Sequence, residues 1–269
     1  MKPLLIIDGH YFLFRSYAVP FKFNSEKGTP LHVCTTFLKL LRQTITIVEK
    51  LEKKDCNLAI VFDSETKNSN SKEYNEYKAN RIQDYSSFED SPFIHYPIIR
   101  KVLNHLDIFN KESINYEADD YIATFANKYS KKYGTVYIAS NDSDFYQLVN
   151  TKIKQIKLCR RDDYEIFTLE KIKETVGIDV NEYVSYKSLM GDKTDNIPGI
   201  PNIGPKRAAK ILKGEYNIDL SKYKKMLDRN KKLIELNRKV PIKLNLELLR
   251  YNKKLLFNTN KELFAEVGL

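Results

Sequence analysis

The chain has 269 residues, a net charge of +10 and 42% hydrophobic residues, so it can form a full core and a disordered protein is excluded. Its three cysteines, Cys34, Cys56 and Cys159, are odd in number and widely spaced, which excludes a disulfide framework and a zinc motif and indicates reduced thiols. The apolar run at the N-terminus is too short for a signal peptide, and no segment approaches the roughly 18 apolar residues of a membrane span, so we expect an intracellular protein.

Three short runs are continuously apolar and rich in branched residues: residues 3–8, 57–63 and 135–140. Runs of this kind are typical of strands that are buried on both faces of a parallel sheet. Amphipathic helical stretches at 31–53 and 119–133 alternate with them. This alternation favours βαβ units and a doubly wound α/β sheet.

Residues 64–91 do not fit this alternation. The segment is polar, contains three tyrosines and lacks an apolar face that could span a helix. It is far longer than an ordinary connection, and such long loops are usually functional or disordered. Further along, residues 163–172 predict a short strand that leads into a helix capped by Thr168.

Positive charge is concentrated in the C-terminal third of the chain. Residues 205–254 contain 16 Lys or Arg against 5 Asp or Glu, so the remainder is nearly neutral. Coding in an AT-rich genome would also produce an excess of Lys, which weakens the total charge as evidence but not its concentration in one region. A basic region of this kind is what binding to a phosphate backbone requires.

Carboxylates follow each of the three predicted buried strands. Asp8 ends the first, Asp63 ends the second, and Asp142 lies just beyond the third with Asp144 beside it. Ligands of an open parallel sheet bind beyond the carboxyl ends of its strands, so we expect these acids to share one sheet edge. A single Asp after a strand is ordinary turn chemistry, but three such coincidences favour a site.

Two further acidic groups have a three-residue spacing. Glu117 and Asp120, with Asp119 between them, begin a predicted helix, where one or two acids would suffice to complement the helix dipole. Asp192 and Asp195 repeat the spacing at a helix end or turn. Nine carboxylates in one cleft cannot all ionise without counter-charge, and no lysine-rich strand ends are present to supply it. The pattern predicts two or more Mg²⁺ or Mn²⁺ ions and phosphodiester hydrolysis.

Residues 197–212 have the form of a helix–hairpin–helix. We expect one helix to end near Asn196 and a second helix to begin near Pro205, after a turn that carries glycine. Backbone N–H groups at the start of that helix can bind a phosphate without reading a base. The candidate DNA-binding residues are Gly199, Asn202, Gly204, Lys206, Arg207 and Lys210.

Seven motifs follow one another between residue 4 and about residue 212: "LLIIDGHYFLFRSY", "VFDSE", "EYNEYKANR", "YEADDYIA", "SNDSDFYQLV", "GDKTDNIPGI" and "NIGPKRAAKIL". In this combination the chain resembles the 5′ nuclease family, which contains bacterial and phage 5′–3′ exonucleases, the 5′ nuclease domain of DNA polymerase I, and flap endonucleases. The resemblance implies an α/β, PIN-like core at 1–185 with a helical arch at about 64–95. It also implies a helix–hairpin–helix (H3TH) region with C-terminal helices at 186–269.

The resemblance also implies roles for individual residues. The metal ligands would be the complete carboxylate set that active relatives carry, namely Asp8, Asp63, Glu117, Asp119, Asp120, Asp142, Asp144, Asp192 and Asp195. Lys78 and Arg81 match the basic residues of the arch that neutralise charge on the scissile phosphate, and Arg15 matches a basic residue near the cleft floor. Asn202 stands where relatives often have Gly. Because Asn tolerates the left-handed conformation, we expect the turn to survive, and the family binds K⁺ there.

The activity implied by the resemblance is that of a divalent-metal-dependent 5′–3′ exonuclease and flap endonuclease of replication and repair. Its partners would be 5′ flaps, branched duplex DNA and RNA primers, and the protein would be a monomer in the nucleoid with a transient polymerase contact. We expect it to stand alone, with no polymerase after Leu269. Two alternatives come from other classes: a module that holds branched DNA without cutting it, and a PIN-like ribonuclease, which would lack the hairpin and the arch.

Overall fold

The fold is built on a six-stranded sheet. The computed structural model describes residues 1–20, 22–64, 76–78, 91–132, 134–160, 163–242, 245 and 247–269. The strands are β1 (Leu4–Asp8), β2 (Asn57–Phe62), β3 (Asn110–Glu112), β4 (Val136–Ala139), β5 (Ile153–Leu158) and β6 (Tyr164–Phe167). Their order is β3-β2-β1-β4-β5-β6, and only β6 is antiparallel to its neighbour. The predicted α/β fold with a mainly parallel sheet is confirmed.

Ten α-helices lie in the described part of the chain. They are α1 (Gly9–Tyr17), α2 (His32–Glu52), α3 (Tyr96–His105), α4 (Ala118–Lys132), α5 (Leu169–Val176), α6 (Tyr183–Met190), α7 (Pro205–Leu212), α8 (Lys224–Ile234), α9 (Lys253–Leu256) and α10 (Asn260–Glu266). The predicted cap at Thr168 is present, since its side chain accepts a hydrogen bond from the Lys171 N–H. No described helix is long and apolar enough to cross a membrane.

The central strands are buried on both faces, as their continuous apolar runs predict. Leu5 and Ile7 of β1 belong to a core that contains residues of α1, α2 and α3. Leu4 and Ile6 point to the opposite face and join a core formed with α4. Successive strand side chains alternate between the two faces, so one strand contributes to both cores. The cysteines are free thiols; Cys34 and Cys56 are buried, whereas Cys159 is only half-buried.

The C-terminal segment returns to the six-stranded sheet after α8. Val240 and Leu249 join the core on the α4 side. Leu256 and Leu263 join the core on the α2 side. The guanidinium of Arg42 on α2 fixes this end of the chain by donating hydrogen bonds to the carbonyl oxygens of Leu256 and Asn258, at 2.7 and 3.1 Å. The chain therefore closes both faces of the sheet with its last residues.

The hairpin differs from the sequence expectation at its first helix. That helix, α6, ends at Met190 rather than near Asn196, because Gly191 takes a φ of 75° and begins a two-residue strand. This strand, β7 (Gly191–Asp192), pairs antiparallel with β8 (Ile197–Pro198). The second helix, α7, begins at Pro205 as predicted.

The left-handed conformation expected for Asn202 is present, with a φ of 63°. The backbone carbonyl of Asn202 accepts a hydrogen bond of 2.7 Å from Nη1 of Arg207 on α7. Asn is one of the few residues that adopts this backbone conformation at low cost. The turn therefore survives without a glycine at this position.

Gly199 is required by close packing. A Cβ at this position would overlap the carbonyl group of Met190 and the amide nitrogen of Gly191, which are backbone atoms and cannot rotate away. We expect Gly199→Ala to lower the free energy of unfolding in urea by about 2–3 kcal/mol. Gly204→Ala is the matched control, because an added Cβ there meets nothing within 4 Å, and it should cost less than about 1 kcal/mol. Equal losses in the two variants would contradict this packing argument.

Candidate active site

The first acidic group forms around Asp8 at the carboxyl end of β1. Its carboxylate accepts a hydrogen bond of 3.0 Å from the Tyr11 N–H, at the start of α1, and one of 2.8 Å from the Ser140 hydroxyl. Ser140 follows β4 directly, and its Oγ also accepts a hydrogen bond of 3.1 Å from the Asp142 N–H. Asp142 accepts one of 2.8 Å from the Asp144 N–H. Ser140 thus positions the acids of two adjacent strands.

Asp63 brings a third strand into the same group. Its Oδ1 accepts a hydrogen bond of 2.7 Å from the N–H of Ala118, the first residue of α4. Its own N–H donates a hydrogen bond of 2.9 Å to Nδ1 of His10. The same first turn of α4 carries Asp119. Three strand ends and one helix start therefore converge, as the positions of the acids predict.

The pKa values show how closely these carboxyl groups approach one another. Burial, assisted by the charges of Asp63 and Asp142, raises the pKa of Asp8 to about 7 despite its two hydrogen bonds. Burial, followed by the charges of Asp142, Asp8 and Asp63, holds the pKa of Asp119 well above its usual range. Like charges at short range disfavour ionisation of each member. A bound cation would relieve this repulsion.

Tyr77 lies between the first acidic group and a second acidic group that contains Asp195. Its buried hydroxyl donates a hydrogen bond to Oε2 of Glu117 at 3.2 Å and lies 3.4 Å from Oδ2 of Asp195. The adjacent Lys78 pairs through Nζ with the same Glu117 oxygen at 2.7 Å, and its N–H donates to the Asp195 carbonyl at 2.9 Å. Residues 76–78 form a turn within the segment expected to be the arch. The turn at residues 76–78 is therefore hydrogen-bonded to both acidic groups.

Asp120 lies at the edge of the first group. Its Oδ1 accepts a hydrogen bond of 2.8 Å from the Asn237 N–H, which ties α4 to the C-terminal segment. Burial and the charge of Glu117 raise the pKa of Asp120 to about 6, although the Asn237 hydrogen bond acts in the opposite direction. One carboxylate oxygen of Asp120 is thus used in the fold, which the sequence pattern does not show.

The second acidic group consists of Asp144, Asp192 and Asp195. One carboxylate oxygen from each of them lies within 4.8 Å of the others. Burial raises the pKa of Asp144 to about 6. Lys187 on α6 lies against this group, with its Nζ 2.7 Å from Oδ1 of Asp144 and in hydrogen-bonding contact with Oδ2 of Asp192. Burial would lower the pKa of Lys187, but its acidic neighbours outweigh burial and raise it.

Several residues of the site are not predicted by the sequence pattern. Lys78 was expected from the resemblance and lies in the turn at residues 76–78, whereas Lys187 on α6 was not expected. The spacing of four residues from Tyr183 is the sequence signal for Lys187, whereas the burial of both side chains is visible only in the structure. The positioning roles of Ser140 and His10 have no comparable signal.

The remaining predicted residues form other contacts, lie in the hairpin or lie outside the described residues. Arg15 donates one hydrogen bond of 3.2 Å to the Tyr11 hydroxyl and another to the Cys159 carbonyl. Arg81 lies outside the described residues. The candidate DNA-binding residues Asn202, Gly204, Lys206, Arg207 and Lys210 are exposed around the start of α7, and Gly199 is half-buried in the hairpin.

The two acidic groups fit hard divalent cations. The donors are carboxylate oxygens, which suit Mg²⁺ and Mn²⁺ and do not suit soft metals. Among the described residues, Lys78 and Lys187 form ion pairs with members of this set of nine carboxylates and Lys157 lies near them, so a negative excess is left for metal ions to neutralise. Burial, with a smaller contribution from the neighbouring acids, raises the pKa values of Asp8 and Asp144, so a bound cation would favour their ionised forms. The site is therefore chemically suited to the predicted cofactors.

The metal-free protein should lose stability as the pH rises from about 4 to about 7. The pKa of Asp8 is raised to about 7, so across this window the folded state keeps a proton that the unfolded chain has released. We expect the free energy of unfolding, measured in urea with EDTA, to fall between pH 5 and pH 8. The fall should be at least about 1 kcal/mol larger than in Asp8→Asn, which cannot titrate at this position. Parallel pH profiles for the two proteins would contradict this.

Comparison with known proteins agrees with the predicted resemblance. Residues 3–177 match the family model described as 5'-3' exonuclease, N-terminal resolvase-like domain, and residues 178–219 match the 5'-3' exonuclease, C-terminal SAM fold. A 5'-3' exonuclease from Buchnera aphidicola subsp. Schizaphis graminum is 34% identical over 217 residues, which are 81% of this chain and 72% of the relative. DNA polymerase I from Deinococcus radiodurans is 35% identical over 209 residues, which are 78% of this chain and 20% of that protein.

The fold also has a close structural counterpart. A flap endonuclease of bacteriophage T5, solved as a pseudo-enzyme–product complex with DNA and metal ions, has a TM-score of 0.68 at 23% identity and covers 88% of this chain and 90% of its own. At that identity the likeness concerns the fold. The family models and the relative of 34% identity go further, since together the models span residues 3–219. The chain therefore belongs to the 5′-3′ exonuclease family.

Proposed function

We propose that this chain is a structure-specific 5′ nuclease that hydrolyses phosphodiester bonds near the 5′ end, or at the junction of single and double strands, in branched DNA. The observation that carries the proposal is the convergence of two carboxylate groups at one sheet edge, linked through the buried Tyr77 hydroxyl. A protein that only binds DNA gains nothing from this much negative charge beside the phosphates. A metal-dependent hydrolase needs it.

The cofactors in this proposal are two or more Mg²⁺ or Mn²⁺ ions. When bound, such ions would activate a water as the nucleophile and stabilise the leaving oxygen of the phosphodiester that is cut. The first group would hold ions through Asp8, Asp63, Glu117, Asp119, Asp120 and Asp142, and the second through Asp144, Asp192 and Asp195. Ser140 and the start of α4 hold the first group in place by the hydrogen bonds described above.

Lys78 is proposed to stabilise the negative charge on the scissile phosphate. It lies in the turn at residues 76–78, half-buried, with its ammonium 2.7 Å from Glu117. An ammonium at the edge of the acidic cleft can bind a phosphate oxygen and stabilise the charge that develops there. Arg81 and Arg15 are proposed to assist, from the arch and from α1 respectively.

The hairpin is the proposed grip on the duplex. Exposed backbone N–H groups at the start of α7 can bind a backbone phosphate, with Lys206, Arg207 and Lys210 adding charge. Asp192 and Asp195 lie in the β7–β8 hairpin that precedes α7, so two acids of the second group lie close in the chain to this grip. The distance between the hairpin and the acidic groups would then select the bond that is cut. A K⁺ ion is proposed for the same turn.

Product mapping on a labelled double-flap DNA tests the proposal. With Mg²⁺ we expect cleavage at or within about one nucleotide of the junction, and with EDTA we expect none. A protein that retards the substrate but leaves it intact in Mg²⁺ and in Mn²⁺ would be a binding module instead. The same substrate with an RNA 5′ segment decides whether primers are also cut.

The wider setting belongs to the proposal as well. A monomer suffices for the chemistry, because this chain supplies both acidic groups. A transient contact with a polymerase in the nucleoid would deliver flaps as they form, which agrees with the similarity to part of DNA polymerase I. Sedimentation of the DNA-bound protein and pull-down with the host polymerase test these two points.

A further inference from the structure

Lys187 makes the most unusual charged contact in the described part of the site. Its side chain is only 6% exposed, and its ammonium lies 2.7 Å from Oδ1 of Asp144 and in contact with Oδ2 of Asp192. It projects from α6, on the same helix face as the buried Tyr183. A buried ammonium persists only where carboxylates compensate its lost hydration.

The Lys187 ammonium contacts two of the carboxylates that a metal ion in the second group would bind. The oxygens of Asp144, Asp192 and Asp195 that lie within 4.8 Å of one another form the only arrangement of this kind found among the described residues. A divalent cation bound to them would stand beside the Lys187 ammonium, and two positive charges at that distance repel each other strongly. The ammonium and the ion therefore compete for the same carboxylates.

We propose that Lys187 is a built-in counter-ion of the second acidic group, which holds Asp144 and Asp192 together without metal and must be displaced before a divalent ion binds there. Lys187 is then a positioning residue that sets the metal affinity of the second group. The first group would bind its ion more tightly, because among the described residues Asp8 accepts hydrogen bonds from neutral groups and Lys78 pairs with Glu117 at the edge of the group. This inference rests on the proposed function for the presence of metal.

Two neutral variants test the proposal on the DNA-free protein. In Mn²⁺ titrations followed by electron paramagnetic resonance, Lys187→Met and Lys187→Gln should each tighten the weaker class of bound ions about tenfold, because a like charge no longer opposes the ion. The Gln variant can still donate hydrogen bonds to both aspartates, so it is expected to fold without metal. Lys187→Arg, which keeps the charge, should bind Mn²⁺ as the unmodified protein does.

Thermal unfolding gives a second readout. In EDTA, Lys187→Met should melt at a lower temperature because two half-buried carboxylates lose their partner, and the gain in melting temperature on adding Mn²⁺ should exceed that of the unmodified protein. Lys157→Met is the matched control. Its ammonium lies over the rings of Tyr146 and Phe167, at 4.4 and 5.0 Å from their centroids, near the same acids but in a different contact. It should leave the Mn²⁺ affinity within about twofold of the original.

Unchanged or weaker Mn²⁺ binding in Lys187→Gln overturns the counter-ion role. If DNA affinity in EDTA also falls, Lys187 would be a phosphate-binding residue instead. Failure of the unmodified protein to bind any Mn²⁺ would count against the proposed function itself. The two failures are therefore distinguishable in one set of titrations.

Discussion

Asp142→Asn is expected to lower the rate of flap cleavage about a thousandfold, the scale on which a single preorganised charge acts in catalysis. The Asp142 carboxylate is exposed in the cleft and acts electrostatically on both Asp8 and Asp119. Asparagine has the same shape and can still accept the hydrogen bond from the Asp144 N–H, so the local turn should persist. What is lost is the negative charge that a cation requires.

The measurement is single-turnover cleavage in Mg²⁺, alongside DNA binding in EDTA. Binding should remain within about threefold, since loss of one cleft charge does not weaken phosphate contacts. Asp219→Asn is the matched control: Asp219 likewise caps a short 3-10 helix by accepting from the N–H two residues later, at Ser221, but lies outside both acidic groups. Full activity in Asp142→Asn would refute the site assignment.

Lys78→Met should lower the rate constant of the chemical step about a hundredfold, as expected when one group that stabilises transition-state charge is removed. The ammonium contacts Glu117 at the edge of the first acidic group, where the proposed function places the scissile phosphate. Methionine keeps the length and apolar stem of the side chain. The defect should therefore appear in kcat rather than in KM.

Two further variants test whether the loss of rate depends on the charge at residue 78. Lys78→Arg restores a positive charge and should recover part of the rate, whereas a purely structural loss would not depend on charge. Lys173→Met removes a lysine that pairs with Asp179 at 2.9 Å on the exposed end of α5, and it should cut at the normal rate. If Lys78→Met were as active as Lys173→Met, the role of Lys78 would be limited to holding the turn at residues 76–78.

The sequence predicts the structure best at the ends of the central strands. The burial of β1, β2 and β4 follows from short continuous apolar runs, and the positions of Asp8, Asp63 and Asp142 follow from parallel strands ending at one edge. These inferences depend on local periodicity and on a general rule of topology. The expected end of a helix near Asn196 was wrong because a single glycine, Gly191, ends α6 six residues earlier.

What only the tertiary structure decided is which distant side chains meet. The Tyr77 hydroxyl lies between Glu117 and Asp195, and Lys187 reaches back to Asp144. Such contacts depend on how separate helices and turns pack over the sheet, and periodicity within one element carries no information about that packing. The amino-acid sequence by itself therefore determined the three central strands, the acidic edge and the chemistry, but not strands β3 and β5. The packing of α6 and of the turn at residues 76–78 determined which positive charges and hydrogen bonds hold the acids in place.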